Sequence, residues 1–202
     1  MYLSLLATVA ASAVGAALHL LFNVGGLLTQ LGLFVVLFAF HGATSFGTRL
    51  ALLLAFGALE GASLGPLIQH VAFNVEPAVV TTAFLGTVVV FASFSAAALV
   101  AKRRSYLFLG GLLGSCLSLL FWGGIVNIFF RSALFFDFQL YVGLCLFAGY
   151  VIFDTQLIVE KHAQGSDDFL RHSLDLFIDF VAIFVRILIL LSRNQKKRRD
   201  DK

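Results

Sequence analysis

The stretch GYVIFDTQLIVEKHAQGSDDFLRHSLDLFIDFVAIF, residues 149–184, decides the fold, and it holds two acidic residues within strongly apolar sequence. The pattern predicts two hydrophobic helices joined by a polar loop at 161–169, with Asp154 in the first helix and Asp179 in the second. A carboxylate at membrane depth costs about 2.5–3.5 kcal/mol on insertion scales, so residues of this kind mark functional positions. Asp154 and Asp179 are therefore the first candidates for a functional site.

The composition of the whole chain is that of a membrane protein. Of its 202 residues, 60% are hydrophobic, only 12% are charged and 23 are phenylalanine, and the mean hydropathy is +0.98. A soluble globule of this composition would expose far more apolar surface than it could cover. We therefore expect membrane lipid as its solvent and no nucleic-acid partner.

Seven apolar segments each approach the twenty or so residues that a helix needs to cross about 30 Å of hydrocarbon. Their length excludes the short alternating strands of a barrel, and the short connections leave no room for a second domain. We predict an all-α, polytopic bundle of seven hydrophobic helices, with a transmembrane domain at 1–192 and a basic tail at 193–202. The predicted segments are 2–22, 26–46, 49–71, 78–101, 106–128, 138–160 and 172–192.

The basic residues of the loops predict the orientation of the bundle. The connections between segments two and three, four and five, and six and seven carry six of them: Arg49, Lys102, Arg103, Arg104, Lys161 and Arg171. The opposite face carries only Arg131, so the positive-inside rule places the first face and the N-terminus in the cytosol. The tail holds six more basic residues, which that rule would also keep in the cytosol. Segment seven is thus either a full crossing that exports the tail or a re-entrant element.

Distances counted from the polar loop place the two aspartates at a similar depth. Asp154 lies six residues before Glu160 and Asp179 lies eight after Arg171, so both sit about 10 Å below the boundary at 1.5 Å per residue. Two carboxylates within a few ångströms do not comfortably both ionise, and we expect them to share one proton. Without that proton they repel each other and form an oxygen site for a transient calcium ion. The pair is a candidate pH switch, and no resident cofactor is expected.

Segment seven carries a polar stripe. Asp175 lies one helical turn before Asp179, and Arg186 lies two turns after it, on an otherwise apolar helix. Such a helix belongs in the middle of the bundle, where its stripe lines a path for water and ions. The alternative is an internal salt bridge of Asp179 with Arg186, or a bridge that involves Asp154, which only fixes the packing.

A further acidic residue, Glu60, lies among small residues of the third segment. Pro66 is expected to break this helix nearby and to open the backbone, which would make Glu60 part of the ion path. Gly61 and Gly65 are expected to be packing positions, where helices approach closely.

The segments GYVIFDTQLIVEKHAQGSDDF and HSLDLFIDFVAIF, together with AKRRSYLFLGG at 101–111 and GASLGPLI at 61–68, resemble the Bax inhibitor-1 branch of the transmembrane Bax inhibitor motif family. The resemblance covers nearly the whole chain. It implies seven helices around a central last helix, and a calcium leak whose di-aspartyl pH sensor corresponds to Asp154 and Asp179. It also implies location in the endoplasmic reticulum membrane and suppression of cell death.

The chain departs from the family pattern in two places. It begins at its first membrane helix, without the polar segment that usually precedes it, which fits a truncated gene model or a shorter isoform. Bacterial relatives latch the matching aspartate with an arginine near the end of helix two. Here that region is AFHGATSFGTR, in which Arg49 falls several residues later, and Arg186 is an alternative partner.

Three functions remain open at the level of sequence. The first is a pH-gated calcium leak of the endoplasmic reticulum that lowers store calcium and suppresses apoptosis. The second is an anti-apoptotic scaffold that regulates Bcl-2 family or calcium-channel partners without conducting ions. The third, an intramembrane aspartyl protease, expects a GxGD-type motif that the sequence does not contain, so no enzyme is predicted.

The basic tail has two interpretations. It is either a solvated, disordered run of charges or a docking site for membrane lipid or an acidic partner such as calmodulin. The residues that would make the second kind of contact are Lys196, Lys197, Arg198 and Arg199.

Overall fold

A computed structural model describes residues 1–102, 105–165 and 168–200, and side chains through 197. Within these ranges the chain forms seven helices and no strand, which confirms the predicted fold class. Arg103 and Arg104 lie outside the described residues. The helices are α1 (Tyr2–Phe22), α2 (Leu27–Gly42), α3 (Phe46–Asn74), α4 (Pro77–Val100), α5 (Leu109–Phe130), α6 (Ala133–Ala163) and α7 (Phe169–Asp200).

Five helices, α1 and α3 to α6, are long and apolar enough to cross a membrane. The other two differ from the predicted crossings for different reasons. α2 has 16 residues and is only about 24 Å long at 1.5 Å per residue. α7 has 32 residues but carries too many charged side chains to count as an apolar span.

Several predicted boundaries shift because serine side chains cap the helices. Ser45 Oγ accepts a hydrogen bond from the Thr48 N–H at 3.2 Å, and Ser132 Oγ accepts one from the Phe135 N–H at 3.3 Å. α3 therefore begins at Phe46 rather than 49, and α6 begins at Ala133 rather than 138.

The expectation that Pro66 breaks the third helix is wrong, since α3 continues past it to Asn74. Proline removes the N–H that would bond the carbonyl of Ala62. That carbonyl oxygen instead lies so close to Gly25 that a Cβ on this glycine would collide with it. Close approach by the α1–α2 connection thus covers the carbonyl that Pro66 leaves without its helical donor.

The chain divides into two compact units. The first contains Met1–Val80 and Asp168–Phe177. In it α1 packs against α3 so closely that a Cβ on any of four glycines would collide with the facing helix: Gly15, Gly57, Gly61 and Gly65. The prediction that Gly61 and Gly65 are packing positions is confirmed. The start of α7 joins this unit through Phe177, whose ring lies 6.1 Å from that of Phe56.

The second unit contains Thr81–Asp167 and the chain from Ile178 onward. α5 packs on α6 around a cluster of buried leucines, Leu113, Leu120 and Leu146. α7 meets α4 through aromatic rings, with Phe180 at 5.6 Å from Phe91 and 5.9 Å from Phe84. These contacts, which cover α7 with protein, agree with the expectation of a central last helix.

α7 is one continuous helix, and it runs antiparallel to α6 over most of its length. Near its C-terminal end Arg193 forms an ion pair with Asp137, in the second turn of α6. A continuous helix of this length is what the first alternative for the seventh segment, a full crossing, requires. The helix also continues through the predicted tail to Asp200.

This arrangement predicts the side of the membrane on which the tail lies. In a chain whose Cys116 and Cys145 are replaced by serine, Asn194→Cys and Ser132→Cys should react with an impermeant maleimide from the same side of sealed, oriented vesicles. Gln164→Cys should react only from the other side, because α7 is about 48 Å long and returns to the level of the α5–α6 connection. Labelling of Asn194→Cys and Gln164→Cys from one side would restore the re-entrant alternative.

Candidate functional site

The register of α6 against α7 fixes where the two aspartates lie. Arg186 contacts α6 at Phe147, with its guanidinium carbon 4.4 Å from the ring centre. From this contact, seven residues onward along α6 lead to Asp154, and seven residues back along α7 lead to Asp179. In an antiparallel pair, equal steps in opposite directions end at the same level. By this contact Asp154 and Asp179 are level, and by the contacts of Arg186 with Gly143 and of Arg193 with Asp137 they are about one turn apart. Whether the two carboxylates share a proton stays a prediction.

Tyr150 supplies a second observation that brings these carboxylates together. Its phenol lies near enough to both Asp154 and Asp179 to interact with the charge of each. Tyr150 is one turn before Asp154 on α6, so its hydroxyl belongs to the same cluster. Asp179 is 4% exposed, while Asp154 is half-buried. The two carboxylates and the phenol thus lie in one region of the α6–α7 pair, where Asp179 is buried and the other two side chains are half-buried.

Arg186 is held in a slot on α6 rather than left in the apolar layer. Its Nη1 donates to the carbonyl of Ala182 at 2.9 Å, and its side chain lies directly over Gly143. A larger residue at Gly143 would fill the space that the guanidinium occupies. The glycine and the Phe147 ring together let a positive charge sit two turns from the aspartates.

The other predicted path residues are half-buried on different helices. Asp175 lies one turn before Asp179 on α7, as predicted. Glu60 lies on α3 one turn after Phe56, the residue that contacts α7 in the first unit. Neither observation tests a role in ion conduction, which stays a prediction for both residues.

The structure bears on the tail and metal predictions only in part. Lys196 and Lys197 are exposed on the last turns of α7, and the side chains of Arg198 and Arg199 lie outside the described residues. Over the described part of the chain, no three His, Cys, Asp or Glu residues are grouped to hold a metal ion. Transient calcium binding by two aspartates stays a prediction.

An ion pair that the sequence did not indicate holds the start of α7. Arg49 Nη2 lies 2.8 Å from Asp168 Oδ1 and 2.9 Å from Asp168 Oδ2, and the guanidinium stacks on Phe40 at 4.8 Å. Asp168 also accepts a hydrogen bond from the Arg171 N–H at 3.2 Å, which caps α7. Arg49, the arginine nearest to the family's latch position, thus has Asp168 as its partner.

The same contacts lower the pKa of Asp168. Partial burial would raise it, but the hydrogen bonds from Arg49 and the Arg171 N–H and the charges of Arg49 and His172 together outweigh that effect. A carboxyl whose pKa is depressed by folding contributes stability above its unfolded pKa of about 3.9. The contribution is lost as the pH falls through the lower, folded value.

Two substitutions at Asp168 separate its ionic role from its capping role. Asp168→Asn keeps an N-cap acceptor but removes the charge, and should destabilise by at most about 1 kcal/mol, because water screens a pair whose acidic side chain is 35% exposed. Asp168→Ala should cost roughly a further 1 kcal/mol through the lost cap. Thermal unfolding in detergent at neutral pH measures both. The asparagine effect should shrink below about pH 3. An asparagine variant as stable as the wild type would exclude an ionic contribution, and equal losses for both variants would exclude a separate capping contribution.

The sequence identifies Arg49 and Arg186 but not the residues that they contact. The Asp168 cap has a sequence signal, since an aspartate directly before a helical pattern is a preferred N-cap. The slot at Gly143 and Phe147 has none, because glycine and phenylalanine occur throughout the apolar helices of this chain.

Comparison with known proteins agrees with the helices and the charged positions. Residues 1–196 match the family described as "Inhibitor of apoptosis-promoting Bax1". The chain is 50% identical over 196 residues to Bax inhibitor 1 of Arabidopsis thaliana, which covers 96% of this chain and 79% of that protein. It is 41% identical over 197 residues to Bax inhibitor 1 of Homo sapiens, which covers 95% and 83%.

A relative from rice extends the match to the whole chain. Bax inhibitor 1 of Oryza sativa subsp. japonica is 45% identical over 204 residues, covering 100% of this chain and 82% of that protein. Identity at this level over nearly full length, together with a family match from the first helix into the last, means that the chain is a multi-pass membrane protein and belongs to the Bax inhibitor 1 family.

Proposed function

We propose that this protein is a pH-sensitive calcium leak of the endoplasmic reticulum membrane that lowers store calcium and so suppresses apoptosis. The observation that supports the proposal is the α6–α7 register, by which Asp154 and Asp179 fall within about one helical turn of each other along the pair. The names of the relatives support the anti-apoptotic part, since they are called Bax inhibitors. The function is not enzymatic, and calcium is the transported ion rather than a cofactor.

Gating follows from the protonation state of the Asp154 and Asp179 carboxylates. When they share a proton, one oxygen donates to another and the bond ties α6 to α7. When the proton leaves, two negative charges repel in a medium that screens them poorly, and the helices are pushed apart. The exposed oxygens are then hard ligands that suit calcium. The Tyr150 hydroxyl can donate to either carboxylate and so take part in both states.

The charges beyond the pair shape the path. Asp175, one turn nearer the α6–α7 loop, adds negative charge at the cytosolic mouth of the path, toward which a calcium ion from the store moves. Arg186, two turns away in the other direction, opposes cations there and keeps the leak slow. Glu60 is a further acidic residue for the path. Lys196 and Lys197 are exposed to anionic lipid or an acidic partner at the end of α7.

Calcium flux into proteoliposomes across a pH series tests the gate. The wild-type protein should pass more calcium as the pH rises and the shared proton is lost. Asp154→Asn and Asp179→Asn replace a carboxylate by a neutral group of the same shape, so each should remove most of the pH response. Asp137→Asn is the matched control on α6, because Asp137 pairs with Arg193 and lies outside the aspartate cluster. Its pH response should equal that of the wild type.

Two results would count against the leak. One is a purified wild-type protein that passes no calcium at any pH, and the other is an unchanged pH response in both asparagine variants. Cell-death assays with the same variants separate the leak from a scaffold for Bcl-2 family or calcium-channel partners. If protection depends on the leak, it should fall with the flux, whereas a scaffold would protect in both variants.

A further inference from the structure

Among the described residues of α4 and α6, three side-chain oxygen atoms are buried without a hydrogen-bond partner: Ser95 Oγ, Thr155 Oγ1 and Gln156 Oε1. Their residues are 6%, 1% and 2% exposed. A buried polar atom left unpaired costs about 1–3 kcal/mol, so such atoms mark the position of a bound water or ion. Thr155 points about 100° around α6 from its neighbour Gln156 and is not part of the site described next.

The amide of Gln156 is fixed in one orientation. Its Nε2 donates to the Ala98 carbonyl of α4 at 2.6 Å. A flip of the amide would place oxygen against oxygen and lose this bond, so Oε1 must face away from Ala98. This oxygen is therefore presented as an acceptor inside the packed α4–α6 contact.

Ser95 lies on the same buried stripe of α4, one turn before Ala98. A serine or threonine in a helix ordinarily satisfies its hydroxyl by donating to the carbonyl four residues back. Thr87, two turns earlier on this stripe, does so, with Oγ1 2.8 Å from Ala83 O. Ser95 does not, so its hydroxyl stays buried without a partner, one turn before the Ala98 carbonyl that Gln156 contacts.

The third ligand that we consider, beside Ser95 Oγ and Gln156 Oε1, is the carboxylate of Glu160. Glu160 lies one turn after Gln156 on α6, is 5% exposed, and accepts a hydrogen bond from Gln164 Nε2 at 2.6 Å. Gln156, Glu160 and Gln164 follow one another at intervals of four residues and so share one face of α6. This face leads from the level of Asp154 to the end of the helix at the α6–α7 loop.

We propose that Ser95 Oγ, Gln156 Oε1 and the Glu160 carboxylate form an outer binding site for a partly hydrated calcium ion between α4 and α6. The inference rests on the proposed function, for which it supplies the step after the aspartate pair, because calcium that leaves the store passes the pair before it reaches the cytosolic α6–α7 loop. All three ligands are oxygens, as calcium prefers. A single charge with two neutral oxygens makes binding weak, and an ion in transit must leave each site as easily as it enters.

Equilibrium binding of radioactive calcium to the purified full chain tests this site apart from flux. In an Asp154→Asn, Asp179→Asn background, one weak class of binding should remain. Adding Glu160→Gln or Gln156→Leu should weaken it roughly tenfold or more, as loss of a ligand or its support does at metal sites. Adding Gln156→Glu should tighten it, because the site then has two carboxylates.

Gln139→Leu is the matched control. Gln139 is also on α6, and its Nε2 also donates to the carbonyl of a neighbouring helix, Leu120 O, at 3.0 Å. Its loss removes an equivalent contact without touching the site, so binding should not change.

The failures of the two proposals can be told apart. Unchanged binding in Glu160→Gln and Gln156→Leu would overturn the outer site and leave a water-filled contact, even where the pH-dependent leak is intact. Absence of any flux, with binding that these two variants weaken, would overturn the leak and keep the site.

Discussion

The need to keep the charges of α7 out of lipid is the constraint on which the rest of the structure depends. Asp175, Asp179 and Arg186 lie on a helix that runs among strongly apolar ones, and each would cost several kilocalories per mole against hydrocarbon. The helix must therefore be covered by protein. In the first unit the residues of α1 and α3 cover its start, through Ser4 and Phe56, and in the second α4 and α6 cover the remainder.

The two units solve this packing problem with different contacts. The α1–α3 seam is made where glycines bring backbone against backbone, and such contacts have almost no freedom to adjust. The second unit holds α7 with aromatic rings and a stacked guanidinium, and joins α6 to α4 through an amide side chain. Side chains can change rotamer without moving a helix axis. A change of charge at the aspartates is thus more easily accommodated in the second unit.

Hydropathy predicted the number and order of the helices because a lipid environment demands long apolar segments. The bounds of α1 agree with the prediction, whereas α6 and α7 are longer because Ser132 caps one and the basic tail extends the other. Asp154 and Asp179 could be selected as candidate site residues from the cost of a carboxylate in lipid alone. The pairing of Arg49 with Asp168 and of Gln156 with Ala98 could not, since polar partners on separate helices are chosen by packing that no local pattern records.

The positions of the fixed contacts determine which part of the α6–α7 pair can respond to a proton. Arg193 with Asp137, and Arg186 in its slot on α6, fix the two helices on the side toward the tail. The start of α7 is held by the Arg49 ion pair and by the cap at Asp168. The last turns of α6, from Asp154 to Gln164, lie beyond the contacts at Arg186. Within the second unit, repulsion between the aspartates should therefore act on this end of α6, where the Gln156 bond to the Ala98 carbonyl of α4 opposes its movement.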